Sequence, residues 1–106
     1  MAPEVEISVL TAVFVAAANS EADLAAALAK YVVLTRHLPG CRNVDLVIST
    51  TERGKFLVVQ KWEDDRLARQ HLNSEVMLDM ASNVMALLLD KPVIDLWDSI
   101  SAHDLH

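Results

Sequence analysis

The chain has 106 residues, of which 53% are apolar and 23% are charged, and nine basic against fifteen acidic residues give a net charge of −6. This length suits a single domain over residues 1–106 with its core at about 5–100, and the apolar share excludes a disordered chain. The acidic balance excludes nucleic acid and an anionic membrane surface as partners, because both need clustered cations.

The scarcity of cysteine and glycine excludes several kinds of covalent cross-link and binding site. Cys41 is the only cysteine, so an intramolecular disulfide and a multi-cysteine zinc site are ruled out. Gly40 and Gly54 are the only glycines, which leaves no glycine-rich phosphate loop. The acidic segment Met1 to Glu6 lacks the basic start of a secretory signal, and the apolar stretch from Val9 to Ala18 is too short to span a membrane. We therefore expect a soluble, cytoplasmic protein with no membrane contact.

The first predicted element is a strand from Glu4 to Ala17. Its early residues alternate between apolar and polar, whereas its later residues are apolar on both faces, which is typical of a strand covered on both sides. Ser20 and Asp23 then form a capping-box-like pair that predicts the start of a helix. Apolar residues at helical spacing extend this helix to about His37.

The middle of the chain predicts a β-hairpin. Alternating runs at 44–49 and 56–62 flank the turn from Thr50 to Gly54. Asp64 and Asp65 can cap a short helix from Arg66 to Leu72.

The last third predicts a helix and a strand. Ser74 can cap a longer helix from Glu75 to Leu89, which Asp90-Lys91-Pro92 ends. Val93 to Ile100 is the last predicted strand, and residues 101–106 form a polar tail that we expect to fray.

The order β-α-β-β-α-β predicts an α+β, ferredoxin-like sandwich, in which a four-stranded antiparallel sheet carries helices on one face only. The other face is expected to be apolar. Because a bare apolar face in water marks an interaction surface, we expect a homodimer formed through the sheet face.

Three short motifs occur in order along the chain: Pro39-Gly40-Cys41, Trp62-Glu63-Asp64 and His71-Leu72-Asn73-Ser74. Together they resemble the antibiotic biosynthesis monooxygenase (ABM) domain family, over about Val5 to Ile100. The resemblance implies a dimeric α+β barrel. It also implies a monooxygenase that oxidises a hydrophobic aromatic or quinol-type small molecule with O₂, without a bound metal, flavin or other cofactor.

Such chemistry needs a proton acceptor, hydrogen-bond donors and an apolar pocket. The resemblance makes His71 and Trp62 the candidate catalytic residues. His71 can act as the base, since an ordinary histidine pKa of ~6.5 lies near neutral pH, or it can hydrogen-bond the backbone at a helix end. The Trp62 indole can donate to a substrate oxygen or pack as a buried aromatic ring.

The substrate-binding residues that we expect share apolar or hydroxyl side chains: Thr11, Phe14, Tyr31, Val76 and Met80. For Phe14 and Tyr31, the strand and helical spacing favours a core position over a place in the site.

Two positions depart from the family pattern and leave alternatives open. Thr11 is the one polar side chain where catalytic members often carry asparagine or arginine, and Val76 stands where many have a second histidine. A non-catalytic small-molecule-binding or interaction module therefore remains an alternative. A haem or porphyrin binder is a weaker one, because the predicted helix from Glu75 to Leu89 contains no axial histidine.

Overall fold

The computed structural model describes residues 7–101, in which a sheet packs against helices on one face. The predicted strand start at Glu4 to Glu6, and the tail beyond Ser101, lie outside the described residues. In chain order the elements are β1 Ser8–Val15, α1 Glu21–Arg36, β2 Cys41–Ile48, β3 Lys55–Trp62, α2 Asp65–Leu72, α3 Glu75–Val84, a 3₁₀ turn Met85–Leu87 and β4 Val93–Asp98.

The four strands stand in the order β2-β3-β1-β4, and every neighbouring pair is antiparallel. The predicted hairpin is β2 and β3, while β1 and β4 are joined to them through helical connections. This is the arrangement of the ferredoxin-like fold, so the predicted α+β class is confirmed. Among the described residues, none of the helices has the length and apolar character needed to cross a membrane.

Alternation along the two central strands separates the two faces of the sheet. In β1 and β3 every second side chain is buried against the helices. This inward set is Ser8, Leu10, Ala12, Phe14, Phe56, Val58, Gln60 and Trp62. Gln60 is the one inward side chain with an amide, and it stands two residues before Trp62 on the same face.

The helix-free face has an apolar centre. Its central strands contribute Val9, Val13, Leu57 and Val59, which are half-buried in one chain. On the edge strand β4, Trp97 is 52% exposed and its Nε1 donates to Thr11 Oγ1 at 2.8 Å. Charged side chains also occur on this face: Asp45, Lys55, Lys61 and Asp95.

The predicted capping box at the start of α1 is wrong. Ser20 is the N-cap residue, but its side chain accepts no capping hydrogen bond. Its φ of −107° and ψ of 5° depart from the extended conformation that lets a cap side chain reach the first helical N–H groups. The reason is the preceding turn, in which Asn19 has a φ of 65° and the Ser20 N–H donates to the Ala17 carbonyl. The caps at Asp64 and Ser74 are present, accepting from the N–H groups of Leu67 and Met77.

Helix α3 is shorter than predicted, because it ends at Val84 and not at Leu89. The Leu87 carbonyl accepts from the Ala17 N–H, and the Leu89 N–H donates to the Val15 carbonyl, both at 2.8 Å. The Val15 carbonyl thus takes the Leu89 N–H, which a helix continued to Leu89 would pair with the carbonyl four residues earlier. The last strand also ends early, at Asp98.

Candidate functional site

Four buried side chains from three elements meet between the sheet and the helices. They are Tyr31 of α1, Gln60 and Trp62 of β3, and His71 of α2, and none is more than 3% exposed. We call this set the buried polar cluster. Polar groups at this depth are costly unless they are hydrogen-bonded, so their pairing decides what the cluster can do.

Local structure brings each member to the cluster. Gln60 and Trp62 are two residues apart on a strand, so both point towards the helices. Tyr31 lies on the buried stripe of α1, one turn beyond Leu28. His71 lies in the last turn of α2, a helix that Asp64 begins by accepting from the Leu67 N–H at 2.8 Å.

The cluster forms one continuous hydrogen-bonded chain. The Trp62 Nε1–H donates to Gln60 Oε1 at 2.8 Å, and Gln60 Nε2 donates to Tyr31 Oη at 2.6 Å. Tyr31 Oη lies 2.5 Å from His71 Nε2. The indole N–H predicted to donate to a substrate is therefore already paired with Gln60.

Aromatic packing holds the His71 ring in place. The Trp62 ring lies against it with centroids 4.7 Å apart and a tilt of 31°, and the Tyr31 ring centroid lies 5.7 Å away. The other ring nitrogen, Nδ1, is 3.4 Å from Ser74 Oγ, which also accepts from the Met77 N–H. This ring therefore has little freedom to turn.

Burial keeps both members of the Tyr31–His71 pair uncharged. It lowers the pKa of His71 to about 4 and raises the pKa of Tyr31 to about 12, although the Gln60 hydrogen bond opposes the latter shift. Loss of water disfavours the charged form of each group. At neutral pH the pair is a neutral imidazole beside a neutral phenol, and its imidazole is a weaker base than the ordinary histidine expected from the sequence.

An apolar cleft of about 330 Å³ opens between α3 and β4. Its apolar lining consists of Phe14, Met77, Met80, Ala81, Val84, Met85, Leu88, Pro92 and Ile94. Asp90 and Lys91 add two charged side chains. A space of this size and character suits a small hydrophobic molecule.

Met77 connects the cleft with the buried polar cluster. Met77 lines the cleft, and its sulfur lies 3.5 Å from Tyr31 Oη, from which it can accept a hydrogen bond. Methionine has three rotatable bonds and adapts its shape easily. Movement of this thioether would therefore bring the Tyr31 hydroxyl to the wall of the cleft.

The structure brings most of the predicted site residues to two neighbouring regions. His71, Trp62 and Tyr31 belong to the buried polar cluster, while Phe14 and Met80 line the cleft.

Val76 and Thr11 lie elsewhere. Val76 lines a groove of about 320 Å³ between α1 and α3, which Tyr31 and Met80 also reach. Thr11 is on the helix-free face, where it pairs with Trp97, because its neighbours Leu10 and Ala12 point towards the helices. Sheet alternation thus separates Thr11 from the cleft.

Sequence reasoning missed two members of the site. Gln60 carried a signal, since it is the single amide in the inward series Phe56, Val58, Gln60 and Trp62. Met77 carried none, because its spacing equally fits the apolar stripe of α3.

No metal-ligand set is present in residues 7–101, where no three side chains of histidine, cysteine, aspartate or glutamate lie close enough to hold an ion. Cys41 is a free thiol, half-buried, and its burial raises its pKa.

Comparisons with known proteins agree with this architecture. A family model described as antibiotic biosynthesis monooxygenase matches residues 7–83. A Pseudomonas aeruginosa protein of solved structure is 26% identical, with a TM-score of 0.78 over 92% of this chain and 97% of that one. A Mycobacterium tuberculosis protein is 21% identical, with a TM-score of 0.82 over 91% and 97%.

A third solved structure, described as an antibiotic biosynthesis monooxygenase, is 18% identical, with a TM-score of 0.79 over 88% of this chain and 98% of that one. No curated protein matches the sequence.

Proposed function

Because the chain belongs to the antibiotic biosynthesis monooxygenase family, we propose that it is a cofactor-independent monooxygenase that oxidises a hydrophobic aromatic or quinol-type small molecule with O₂. The observation that supports this most strongly is the uncharged Tyr31–His71 pair, whose Tyr31 hydroxyl contacts Met77 in the wall of an apolar cleft. A proton acceptor beside a water-poor pocket is what such chemistry requires from the protein.

The substrate occupies the cleft between α3 and β4. Its aromatic rings lie among Phe14, Met80 and Val84, and its acidic C–H or O–H group faces Met77. As the thioether of Met77 moves aside, that group meets Tyr31 Oη. The bound rings displace water from the apolar lining around the anion that then forms, and so preserve its reactivity towards O₂.

Proton transfer starts the reaction. Tyr31 Oη takes the substrate proton while its own proton passes to His71 Nε2, 2.5 Å away. The products are a substrate anion and an imidazolium. The imidazolium alone would be costly at this depth, but the anion beside it offsets part of that cost.

The oxygen step then balances without an added reductant. The substrate anion supplies the electrons that reduce O₂, and a C–O bond forms to give a hydroperoxide. The O–O bond breaks as the second hydrogen on the same carbon leaves as a proton, so that the inner oxygen stays as a ketone or quinone carbonyl, and the outer oxygen leaves as hydroxide and takes up that proton to become water. His71 returns its proton, through Tyr31, to the outer oxygen as the hydroperoxide forms.

The proposal includes a homodimer through the helix-free face. Val47, Val93 and Trp97 are each about half exposed there, beside the apolar centre of the sheet. Together with that centre they make a continuous apolar patch across the sheet, and a twofold pairing of two sheets would cover it.

A second candidate is a binding module of the same fold without catalysis. The observation that favours it is the cover over the buried polar cluster, since Tyr31 and His71 are only 2% and 3% exposed. If Met77 keeps its place when the cleft is filled, a ligand binds without meeting the acceptor.

Oxygen uptake with anthrone- and quinol-type compounds separates the two candidates. The wild type should consume O₂ and form the carbonyl product. His71→Gln should lower kcat roughly 100-fold or more, the usual effect of losing an acid–base group. His37→Gln is the matched control, because His37 is exposed at the end of α1.

Three outcomes are distinct. Uptake that falls in His71→Gln but not in His37→Gln supports the monooxygenase. Saturable binding of the same compounds with no uptake supports the binding module. Neither binding nor uptake would contradict both candidates.

A further inference from the structure

We infer that Gln60 is a positioning residue, whose side-chain amide fixes the direction of every hydrogen bond in the buried polar cluster and leaves His71 Nε2 as the proton acceptor. The catalytic meaning of this inference rests on the proposed function. The proton arrangement itself does not, and it can be measured in the absence of any substrate.

The orientation of the Gln60 amide follows from Trp62. An indole N–H can only donate, so the Gln60 atom that lies 2.8 Å from it has to be the carbonyl oxygen. The amide nitrogen then faces the opposite way, 2.6 Å from Tyr31 Oη. Because an amide nitrogen can only donate, the phenol oxygen must accept in this bond.

The remaining Tyr31 proton then has two possible acceptors. His71 Nε2 lies 2.5 Å away and Met77 Sδ lies 3.5 Å away. An imidazole nitrogen is a much better acceptor than a thioether sulfur, and it is also nearer. The phenol proton therefore points at Nε2, so this nitrogen carries no proton of its own.

Neutral His71 must then carry its proton on Nδ1. Within the part of the chain that the structure describes, that nitrogen lies 3.4 Å from Ser74 Oγ, which is long for a strong N–H···O bond. Ser74 Oγ is also occupied as the helix cap, accepting from the Met77 N–H at 3.1 Å. Because the contact at Nδ1 is weak, the hydrogen bond between Tyr31 and Nε2 determines the tautomer of His71. The direction of that bond is in turn set by Gln60.

This direction matters for proton transfer. With Nε2 unprotonated, the Tyr31 proton has somewhere to go when Oη takes up a proton from the cleft. The Gln60 N–H also stabilises the negative charge that develops on Oη during the transfer. In the reverse arrangement Nε2 would already be protonated, and the pair could not accept a proton along this path.

Two substitutions at position 60 test the inference. Gln60→Glu keeps the size of the side chain, but an ionised carboxylate only accepts, so it takes both the Trp62 N–H and the Tyr31 O–H. Tyr31 Oη then has to accept from His71, and the tautomer should switch to Nε2–H. Gln60→Leu removes the donor to Tyr31, so that the tautomer preference should be weakened but not reversed.

The measurement is the nitrogen spectrum of histidine in ¹⁵N-labelled, substrate-free protein between pH 7 and 9. We expect wild-type His71 to show a protonated Nδ1 and an unprotonated Nε2, and Gln60→Glu to show the reverse. Exposed His37 serves as the internal reference, since it lies outside the buried polar cluster. A protonated Nε2 in the wild type would overturn the inference, and so would a tautomer preference in a folded Gln60→Leu variant that equals the wild type's. The Gln60→Glu spectrum counts against it only where the carboxyl ¹³C shift of that residue shows the ionised form, because a buried carboxyl that stays protonated donates to Tyr31 as the amide does.

Kinetics adds a second readout. Gln60→Glu should lower kcat at least tenfold while KM changes less than twofold, because Gln60 does not line the cleft. A wild type with the expected tautomer but without oxygen uptake contradicts the proposed function and leaves the role of Gln60 intact. If both substitutions prevent folding, the wild-type spectrum still decides the proton arrangement.

Discussion

Tyr31 Oη and His71 Nε2 lie 2.5 Å apart in the interior, although the two residues are 40 positions apart in the sequence. The bond joins α1 to α2 over the inward face of β3, where Gln60 and Trp62 complete the chain of donors. A single hydroxyl therefore connects two helices and a strand.

Removing that hydroxyl should destabilise the fold. Tyr31→Phe leaves the Gln60 amide nitrogen without its acceptor and His71 Nε2 without its donor. We expect a loss of about 1–3 kcal/mol in the free energy of unfolding, the usual cost of unpaired buried polar groups. Urea denaturation measures it, and Val33→Ala, at an exposed site on the same helix, should change the free energy by less than about 0.5 kcal/mol. Equal stability of Tyr31→Phe and the wild type would contradict this prediction.

Stability should depend on pH through His71. Its pKa in the folded chain is about 4, below the ordinary 6.5, because burial disfavours the imidazolium. Between these values the unfolded chain binds a proton that the folded chain does not. The free energy of unfolding should therefore fall as the pH drops from 6.5 towards 4, by at most about 1.4 kcal/mol per pH unit from this group.

His71→Gln isolates that contribution, since other acidic groups titrate in the same range. Urea midpoints measured from pH 4 to 7.5 should fall less steeply for the variant than for the wild type. Parallel curves would show that His71 binds its proton equally well in both states.

The helix-free face should hold two chains together. Sedimentation at micromolar concentration should give twice the 11.7 kDa mass of one chain. Val59→Asp places a charge at the apolar centre of this face, near Asp45 and Asp95, and should yield monomers. Leu78→Asp is the control, because Leu78 is 58% exposed on α3, on the other side of the sheet. A monomeric wild type would disprove the homodimer.

Filling the cleft should block the substrate without unfolding the chain. Ala81 is exposed and lines the cleft, so Ala81→Phe would occupy much of its 330 Å³. We expect KM for an anthrone-type substrate to rise at least tenfold. Ala26→Phe, at an exposed site on α1, should leave KM unchanged. Equal effects of the two substitutions would place the binding site elsewhere.

Two glycines with similar backbone angles should differ in their tolerance of alanine. Gly40 has a φ of +84° and Gly54 a φ of +75°, so alanine is strained at both. A Cβ at Gly40 would lie 2.5 Å from Leu67 Cδ1, whereas at Gly54 its nearest neighbour is 3.4 Å away. Gly54→Ala should cost about 1 kcal/mol from backbone strain, and Gly40→Ala should lower Tm further.

Leu67→Ala tests the cause of that difference. In its background the additional loss from Gly40→Ala should largely disappear, because the overlapping methyl group is gone. If Gly40→Ala still lowers Tm more than Gly54→Ala in the Leu67→Ala background, the additional loss comes from the backbone of the loop and not from contact with Leu67.

Much of the fold follows from local pattern. Period-two alternation identified β3, and the caps at Asp64 and Ser74 identified the starts of α2 and α3. The end of α3 at Val84 could not be predicted from the sequence, because the apolar stripe of the helix continues through Leu87 and Leu88. There the backbone of β1 competes for the same hydrogen-bonding groups, and that competition depends on tertiary contact.

The candidate site shows the same division. His71 and Trp62 came from motifs, whereas Gln60 was not predicted, although it alternates in step with Phe56, Val58 and Trp62. The Tyr31–His71 bond could not be predicted, because it joins two helices whose relative position depends on packing. The placement of Thr11 on the opposite face from His71 was implicit in the strand pattern, since Leu10 and Ala12 take the inward positions.

The backbone bonds that tie residues 87–89 to the end of β1 give the cleft one rigid end and one adaptable side. Leu88 is fixed by its bridge to Ala16, whereas Met77, Met80 and Met85 line the cleft with rotatable thioethers. If the substrate binds in this cleft, the fixed end at Leu88 would exclude molecules that are too long. The methionine side would adjust to molecules of different width. Substrate selectivity would then depend on the length of the ring system and much less on its width.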